Sequence, residues 1–555
     1  MKGAKIFIEC LKKEKVEVIF GYPGGTVLPF CDVLFDSGIR FILTRHEQGA
    51  AHAADGYSRS SGKVGVCLAT SGPGSTNLVT GIATAYMDSI PMVAITGQVA
   101  THLIGNDAFQ EVDTTGITRP ITKHNYLIKD VNEICKVVKE AFYIATTGRP
   151  GPVLIDFPAN IQSMEGKFNY PSKIEMRSYK PVYEGHPKQI EKAWELIESS
   201  KKPVIIAGGG IISSNASSEL NEFVEKTGIP VAFTLMGLGC MDVRHPLSLG
   251  MPGMHGTKYA NYAIVESDLI ISIGCRFDDR VTGKIENFAP KAKIIHIDID
   301  PAAISKNVEV DVPIVGDAKN VLKKLLEEAK KLDIEQWQEK VKKWKNENPL
   351  KYDNNGFKPQ YVIEKISEIT KGEAIIATEV GQNQMWTAQF YRFKKPRTFI
   401  TSGGLGTMGF GFPAAIGAKV ANPYEIVIDI AGDGSIQMNI QELATAVSNK
   451  IPVKIIILNN GYLGMVRQWQ QLFYNRKYAF TCIANGQPDF VKLAESYGAI
   501  GYRVKTKEEF DKVIDKVLEE KEKVVMLDCR IEPEENVFPM VPAGASLDQM
   551  LEGIA

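Results

Sequence analysis

Short runs of Val, Ile and Leu recur along the chain and alternate with stretches of helix length. Such runs are VGVCLAT (64–70), PMVAITG (91–97), PVLIDFP (152–158), KPVIIAGGG (202–210), DLIISIG (268–274) and EIVIDIAGDG (425–434). Strands that are apolar on both faces are typical of parallel sheets covered by helices on both sides. The pattern therefore predicts an α/β fold of doubly wound parallel sheets.

Two segments without this alternation predict linkers between domains. Residues 161–187 are polar, with prolines and isolated aromatic residues, and residues 321–358 are rich in lysine and glutamate. We interpret the second segment as a solvated helix to about residue 345, followed by a linker. The predicted units are a first domain at 1–165, a central domain at 186–345, a third domain at 358–535 and a C-terminal tail at 536–555.

The first and third predicted domains each contain a similar segment. Residues 66–97 and 427–460 both run from a buried strand through a GPGS or GDGS turn into a helix, an Ile-Pro pair and a second buried strand. Chance similarity is the alternative, because βαβ units are common. The matched order of turn, helix and Ile-Pro favours two related domains.

The charge balance argues against nucleic acid or an anionic membrane as the main binding partner. The 555 residues include 64 Lys and Arg and 65 Asp and Glu, so no basic surface for nucleic acid or anionic membrane is predicted. No apolar run approaches the roughly 18 residues of a membrane helix. Charges interrupt the apolar positions near the N-terminus, unlike in a secretory signal. The eight cysteines have no metal-binding or disulfide-rich spacing. We expect a cytoplasmic protein of several domains.

The strongest chemical motif is GDGS (432–435) followed by NN (459–460). Asp433 and Asn460 end two successive predicted strands, and the carboxyl ends of parallel strands open onto one crevice. The glycines predict a tight turn at a helix start, where backbone amides bind phosphate. Carboxylate and amide oxygens suit Mg²⁺, which also binds phosphate oxygens. The motif predicts a metal–diphosphate site; the alternative is a capping Asp and a turn Asn.

A second glycine motif is weaker evidence for a ligand. Gly404, Gly406 and Gly409 have the G-x-G-x-x-G spacing of a dinucleotide fingerprint, and Asp429 follows at a suitable distance. However, Asp429 stands on the strand that leads into the metal turn, where the fingerprint acid does not belong. We therefore interpret these glycines as points of close backbone approach to some ligand.

Motifs spread over nearly the whole chain resemble those of the thiamine diphosphate-dependent enzymes. They are GYPGG (21–25), RHEQGAA (45–51), SGPGSTN (71–77), GRPGPV (148–153), GMHG (253–256), RFDDRVTG (276–283), GLGTMGFG (404–411), GDGS with NN, and MVRQWQQLF (465–473). Within that family the chain is similar to the catalytic subunits of biosynthetic acetohydroxyacid synthases, to which RFDDRVTG and RQWQ are specific. The resemblance implies that the first and third domains bind thiamine diphosphate. It also implies at least a homodimer, because different chains hold the two ends of the cofactor.

The resemblance implies a function and its catalytic residues. Such enzymes decarboxylate pyruvate and transfer the hydroxyethyl unit to a second pyruvate, giving 2-acetolactate, or to 2-ketobutyrate, giving 2-aceto-2-hydroxybutyrate, in branched-chain amino acid biosynthesis. Glu47, by position alone an ordinary helix-start acid, matches the glutamate that bonds N1′ of the cofactor. Mg²⁺ ligands fall on Asp433, Asn460 and the backbone carbonyl of Tyr462. Other cofactor contacts fall on Gly406, Met408, Gln382, Asn383, Gly434 and Ser435.

Substrate and flavin contacts are implied in the same way. Arg280 matches the arginine that binds the acceptor carboxylate, and Gln110 matches a polar group near the reacting centre. Phe109, Met254 and Trp469 match the pocket walls, with core packing the alternative for Trp469. FAD, required without net redox change, is implied in the central domain. Its contacts fall on Arg149, Gly208, Gly209, Gly210, Thr234, Leu235, Met236, Arg276, Asp298 and Asp317.

Two positions depart from the family pattern. Asn383 replaces a histidine, so that this diphosphate contact is expected to keep only an amide donor. Ala159 replaces a lysine near flavin and substrate, which puts acceptor binding, flavin affinity and rate in doubt.

Two alternative functions are disfavoured by particular residues. A pyruvate oxidase-type oxidoreductase would use the same cofactors and reduce the flavin; RFDDRVTG and Trp469 argue against it. A non-catalytic paralogue is disfavoured by Glu47, Asp433 and Asn460. Feedback control is expected to come from a separate regulatory subunit, since no regulatory domain is recognised in this sequence.

Overall fold

Three parallel sheets covered by helices organise the computed structural model, which describes residues 1–553. Every strand pair within these sheets is parallel. The predicted α/β class is confirmed, and its reason is the one given by the sequence: the central strands are apolar on both faces and need a helical cover on each side.

The first sheet holds the N-terminal strands. They are β1 (Val18–Tyr22), β2 (Arg40–Leu43), β3 (Gly65–Ala69), β4 (Met92–Gln98), β5 (His124–Leu127) and β6 (Pro152–Pro158). The helices are α1 (Gly3–Lys13), α2 (Leu28–Phe35), α3 (Glu47–Ser61), α4 (Pro73–Asn77), α5 (Val79–Met87), α6 (Thr114–Thr118), α7 (Ile134–Thr146) and α8 (Ala159–Ser163). The strand order is β2-β1-β3-β4-β6-β5. One face is covered by α1 and α7 and the other by α3 and α5.

The central sheet has five strands. They are β7 (Pro203–Ala207), β8 (Val231–Phe233), β9 (Leu269–Ile273), β10 (Lys293–Asp298) and β11 (Val312–Val315), in the order β11-β10-β9-β7-β8. The helices are α9 (Pro187–Ser199), α10 (Gly209–Ser213), α11 (Ser217–Thr227), α12 (Lys258–Glu266), α13 (Asp279–Thr282), α14 (Ala318–Glu328) and α15 (Glu335–Glu347). The predicted charged helix is thus two helices. The chain leaves the helix between them because Leu332 and Ile334 turn inward and are buried.

The third sheet repeats the connectivity of the first. Its strands are β12 (Ile375–Thr378), β13 (Phe399–Ile400), β14 (Val427–Gly432), β15 (Lys454–Asn459), β16 (Ile500–Val504) and β17 (Val525–Arg530), in the order β13-β12-β14-β15-β17-β16. The helices are α16 (Pro359–Ile369), α17 (Gln382–Phe390), α18 (Gly411–Ala421), α19 (Glu442–Ser448), α20 (Gly464–Phe473), α21 (Phe490–Ser496) and α22 (Lys507–Glu519). Because both sheets have the same order, the predicted relation between the two domains is confirmed. The exact domain boundaries stay a prediction.

A seam of small residues joins the first and third domains along α3 and α18. A Cβ on Gly56 would overlap the backbone of Ala414, and one on Gly417 would overlap the backbone of Ala53. The two helices therefore touch backbone to backbone, which only glycine at these positions permits. At the start of α3, Glu442 from α19 accepts the amide of Arg45 at 3.1 Å. This contact orients the helix that begins with Glu47.

Candidate active site

Each sheet has a switch point where successive connections leave one strand in opposite directions. It falls between β1 and β3, between β7 and β9, and between β12 and β14. Ligands of open α/β sheets bind in the crevice beyond the carboxyl ends of the strands at such a point. The sequence motifs GPGS, AGGG and GDGS all follow these strands.

A narrow cleft lies at the switch point of the third sheet. Its lining residues are Val380, Gly381, Gln382, Asn383, Trp386, Met408, Gly432, Asp433, Gly434, Ser435, Leu458, Asn460, Tyr462, Leu463 and Gly464. The cleft brings together every predicted cofactor and metal residue of the third domain except Gly406. Residues 78 positions apart in the chain, such as Gln382 and Asn460, are hydrogen-bonded here.

Asp433 is the acidic group of this cleft. It is 1% exposed, and its Oδ2 accepts the amide of Gly461 at 3.1 Å and a hydrogen bond from Gln487 Nε2. Burial raises the pKa of Asp433 to about 6. Beside it, Asn460 Oδ1 accepts the amide of Tyr462 at 3.0 Å, which folds this turn around the carboxylate.

These groups fit a hard divalent cation that shares its ligands with a phosphate. Within residues 1–553, no three His, Cys, Asp or Glu side chains meet in a way that could hold a metal. A cation at Asp433 would therefore take one carboxylate and complete its shell with amide, backbone and ligand oxygens. That is the usual way in which Mg²⁺ binds with a phosphate ester. A Cβ at Gly464 would overlap Gln382 Oε1 and lie 2.8 Å from Asn460 Nδ2, so a larger residue here would have to displace these two cleft side chains.

Asn383 is turned toward the sheet. Its Nδ2 donates to the carbonyl oxygens of Glu379 at 2.9 Å and Ile430 at 2.8 Å, at the ends of β12 and β14. Both amide hydrogens are thereby used by the protein. The amide donor expected from the sequence is thus engaged within the sheet, while the side chain still lines the cleft.

Met408 reaches the cleft on the segment 401–410, which connects β13 to α18. Gly406 (φ +69°) and Gly409 (φ +88°) adopt left-handed backbone there, which explains the glycine spacing without a dinucleotide fingerprint. Glu379 holds the segment, because its carboxylate accepts the amide of Gly409 at 2.6 Å. Burial raises the pKa of Glu379 to about 7.

The predicted catalytic residues of the first domain gather around its GPGS turn. Glu47 is 8% exposed, and its Oε2 accepts a hydrogen bond from Asn77 Nδ2 at 3.0 Å. A Cβ on Gly74 would lie 3.3 Å from Glu47 Oε1, and one on Gly72 would lie 2.8 Å from the carbonyl oxygen of Gln110. Glu47 and Gln110 thus share one turn. Neither residue lines the cleft of the third domain.

The predicted substrate residues fall in two places. Arg280 and Met254 touch, since the Met254 amide donates to the Arg280 carbonyl at 2.8 Å. The C-terminal tail links this pair to the helix of Trp469, because Val541 donates to the Met254 carbonyl and Gln468 donates to the tail backbone. Phe109 lies on the loop between β4 and α6 and is 88% exposed, so within one chain it forms no enclosed wall.

A cavity of about 300 Å³ opens at the switch point of the central sheet and reaches the first and third domains. Eight of the ten predicted flavin residues line it: Arg149, Gly209, Gly210, Thr234, Met236, Arg276, Asp298 and Asp317. Gly208 and Leu235 are sequence neighbours of lining residues. A Cβ on Gly208 would overlap the carbonyl oxygen of Gly274, so the turns after β7 and β9 meet backbone to backbone.

The charges around this cavity suit a nucleotide. Asp298 ends β10, and burial raises its pKa to about 6. Asp317 caps α14 by accepting the amides of Lys319 and Asn320. Carboxylates at such strand ends accept ribose hydroxyls, and the guanidinium groups of Arg149 and Arg276 suit a diphosphate. The residues present therefore fit a dinucleotide such as FAD, and the volume falls at the small end of ligand pockets.

Several contacts at these sites were not predicted from the sequence. Gln487, which bonds Asp433, lies in a loop without any motif, so no signal was available. Glu379 directly follows β12, and the short apolar run of that strand is the signal that could have drawn attention to it. Arg59 and Asp88 form a buried ion pair within the first domain and hydrogen-bond to the backbone of Thr401, Gly403 and Gly404 in the third domain. Asp88 lies within the repeated segment 66–97, and that repeat is the signal that could have drawn attention to it.

Three family models match this chain, one for each sheet. The matches are "Thiamine pyrophosphate enzyme, N-terminal TPP binding domain" at 1–117, the central domain of the same enzymes at 190–325, and their C-terminal TPP binding domain at 379–529. Thiamine pyrophosphate and thiamine diphosphate are the same cofactor. The fold and the clefts thus define a three-domain thiamine diphosphate enzyme.

Curated relatives match along the full length. A "Probable acetolactate synthase large subunit" of Methanocaldococcus jannaschii is 54% identical over 100% of this chain and 96% of its own. The acetolactate synthase large subunits of Haemophilus influenzae and Corynebacterium glutamicum are 49% and 51% identical, over 99% and 98% of this chain and 98% and 89% of their own. The chain belongs to the acetolactate synthase large-subunit family of thiamine pyrophosphate enzymes. Among residues 1–553, none of the helices has the length and apolar character required to span a membrane.

Proposed function

We propose that this chain is the catalytic subunit of an acetolactate synthase, a thiamine diphosphate-dependent transferase. It decarboxylates pyruvate and transfers the two-carbon unit to a second pyruvate, giving 2-acetolactate, or to 2-ketobutyrate. The observation that carries the proposal is the cleft of residues 380–464, where one buried carboxylate, two strand-end amides and a glycine turn converge. The similarity to synthases over the whole chain supports the same reaction.

The third domain holds the diphosphate end of the cofactor. Asp433, Asn460 and the carbonyl of Tyr462 would bind Mg²⁺, and the amides of Gly434 and Ser435 would face the phosphate oxygens. Met408 would support the ring system from the segment 401–410. When bound, thiamine diphosphate supplies the nucleophilic carbon and the electron sink that decarboxylation requires. The protein contributes orientation and exclusion of water.

Glu47 would hydrogen-bond to N1′ of the cofactor's aminopyrimidine and exchange a proton with it. It lies in the first domain, and the cleft is lined by residues of the third domain alone. We therefore propose that a second copy of the chain supplies Glu47, so that two sites form per homodimer. Its hydrogen bond from Asn77 fixes the carboxylate and leaves Oε1 beside the turn at Gly74.

The acceptor keto acid is held by its carboxylate and by its alkyl group. Arg280 is exposed next to Met254 and offers a guanidinium fork that matches a carboxylate. Trp469 is half-buried on α20, with its ring 5.2 Å from Phe473. Phe109 and Gln110 would complete the pocket from the second copy. FAD would bind in the central cavity, where Arg149 and Arg276 would hold its diphosphate and Asp298 its ribose.

The partners and compartment follow from the same proposal. Relatives are named large subunits, and we propose that a separate small subunit regulates this chain. The eight cysteines are free thiols, which suits the reducing cytoplasm expected from the sequence. Ala159 begins α8 and offers no cation at the position where the family pattern has a lysine.

Product analysis tests the proposed reaction. The purified full-length protein is supplied with thiamine diphosphate, Mg²⁺, FAD and pyruvate, with and without 2-ketobutyrate, and the products are identified by mass spectrometry. We expect 2-acetolactate alone in the first case and a second product, 2-aceto-2-hydroxybutyrate, in the other. Rapid bleaching of the flavin with acetate or acetyl phosphate as product would instead establish a pyruvate oxidase-type reaction.

Replacing Trp469 with Leu is expected to change which acceptor is used. A pocket fitted to one methylene discriminates by ~1–3 kcal/mol, so the preference between 2-ketobutyrate and pyruvate should shift by about 10-fold. The measurement is the product ratio when both acceptors compete. Phe473→Leu, one turn further on the same helix, is the matched control. An unchanged product ratio in Trp469→Leu would show that this tryptophan only packs against its neighbours and does not select the acceptor.

A further inference from the structure

The segment 401–410 lies between the two cofactor sites. Its C-terminal part carries Met408 into the diphosphate cleft. Its N-terminal part, at Gly403 and Gly404, donates to Asp88 of the first domain and lies beside Met236 and Arg276, two residues that line the central cavity. A group that fixes the position of this segment therefore affects both cofactor sites.

Two buried charged side chains of the first domain form hydrogen bonds with the backbone of the segment. Asp88 accepts the amide of Gly403 at 3.0 Å with Oδ2 and the amide of Gly404 at 2.7 Å with Oδ1. Arg59 donates to Asp88 at 2.9 Å and to the carbonyl of Thr401 at 2.7 Å. Its guanidinium carbon also lies 5.1 Å from the ring centroid of Phe410. The pair thus holds both ends of the segment at once.

The same pair faces the nucleotide cavity. Arg59 and Asp88 are both among the residues that line it, together with Arg276 and Met236. A Cβ on Gly404 would lie 3.1 Å from Arg276 Nη2, and one on Gly403 would lie 2.5 Å from Met236 Sδ. A ligand in the cavity would therefore contact Arg59 and Asp88, the two side chains that hold the segment.

We propose that Arg59 and Asp88 are positioning residues that couple the nucleotide cavity to the thiamine diphosphate cleft through the segment 401–410. Occupancy of the cavity orders the Asp88 and Arg59 side chains against Gly403 and Gly404, and the ordered segment presents Met408 to the second ligand. The ligand that binds second finds the segment already ordered, so its binding costs less conformational entropy. The inference rests on the proposed function in one respect, namely that FAD fills the cavity and thiamine diphosphate the cleft.

Calorimetry on the full-length protein measures the coupling. Thiamine diphosphate with Mg²⁺ is titrated into protein without and with saturating FAD, and FAD is titrated in the reverse order. We expect each ligand to tighten the other by the same factor, about 5-fold or more, because coupling free energy is reciprocal. If both bind with affinities independent of each other, the coupling is refuted and the proposed function stands. If FAD does not bind, the flavin assignment fails, and the inference fails with it.

Variants separate positioning from general destabilisation. Asp88→Asn removes an acceptor for one of the glycine amides, and we expect the coupling factor to fall below about 2-fold. Thr84→Val is the matched control. It removes the 2.8 Å hydroxyl contact between Thr84 and Thr407 on the same segment but does not face the cavity. Coupling that survives in Asp88→Asn, or is lost equally in both variants, would overturn the assignment.

Hydrogen exchange of the unmodified protein gives an independent test that needs no variant to fold. Peptides covering 401–410 contain the Gly403 and Gly404 amides that Asp88 accepts. FAD alone, without thiamine diphosphate, is expected to slow exchange in these peptides by about 5-fold or more, in line with the coupling factor. Unchanged exchange at this segment while FAD is bound would contradict the proposal.

Discussion

Replacing Glu47 with Gln is expected to lower 2-acetolactate formation by about 100-fold or more, the typical contribution of a positioned acid or base. Gln keeps the size of the side chain, and its carbonyl can still accept the hydrogen bond from Asn77. It cannot exchange a proton with N1′ of the aminopyrimidine. The loss should therefore appear in the rate, while thiamine diphosphate still binds.

The measurement pairs steady-state turnover with cofactor binding by calorimetry. Glu442→Gln is the matched control, because Glu442 is also a buried glutamate near the start of α3 but holds the Arg45 amide instead of facing the GPGS turn. We expect a much smaller loss of turnover in this control. Turnover of Glu47→Gln within a few-fold of the unmodified protein would remove the catalytic role from Glu47.

Replacing Asp433 with Asn is expected to weaken Mg²⁺-dependent binding of thiamine diphosphate by about 100-fold or more, since loss of even an outer partner of a metal ligand costs 10–100-fold. The change removes the one acidic group among the described residues that line the cleft. The measurement is the affinity for thiamine diphosphate as a function of Mg²⁺ concentration. Without the carboxylate, added Mg²⁺ should no longer increase the affinity.

Asp489→Asn is the matched control for this experiment. Asp489 caps α21 and pairs with Arg503 at the protein surface, so the same loss of charge occurs away from the cleft. We expect its cofactor affinity to follow that of the unmodified protein. A Mg²⁺ dependence that persists in Asp433→Asn would show that the metal is held elsewhere.

Much of the fold was predictable because the information is local. Parallel strands covered on both faces need continuous apolar runs, and such runs predicted β3, β4, β6, β7, β9 and β14. The repeated turn and Ile-Pro pattern predicted that the first and third domains are related, as their common strand order confirms. The charged helix near residue 345 was predicted less well, because its interruption depends on Leu332 and Ile334 finding a core to enter.

The candidate site was predictable where its residues end neighbouring strands. Asp433 and Asn460 follow β14 and β15, which pair directly, so that their proximity follows from strand order. Asn383 was predictable as a lining residue but not in its orientation, because its acceptors are backbone carbonyls of β12 and β14. The choice between those acceptors and a ligand depends on side-chain geometry that a strand pattern does not contain.

The sequence by itself determined the sheet class, the glycine turns at the strand ends, and the residue types that suit a metal, a diphosphate and a nucleotide. Only the tertiary structure decided that the Asn383 side chain donates to the sheet and that Gln487 hydrogen-bonds to Asp433. It also decided that Arg59 and Asp88 form hydrogen bonds with the backbone of a segment more than 300 residues away in the chain. The physical reason is range: strand and turn preferences act between near neighbours, whereas hydrogen bonds from a buried ion pair of one domain to the backbone of another form only after the two surfaces have packed together.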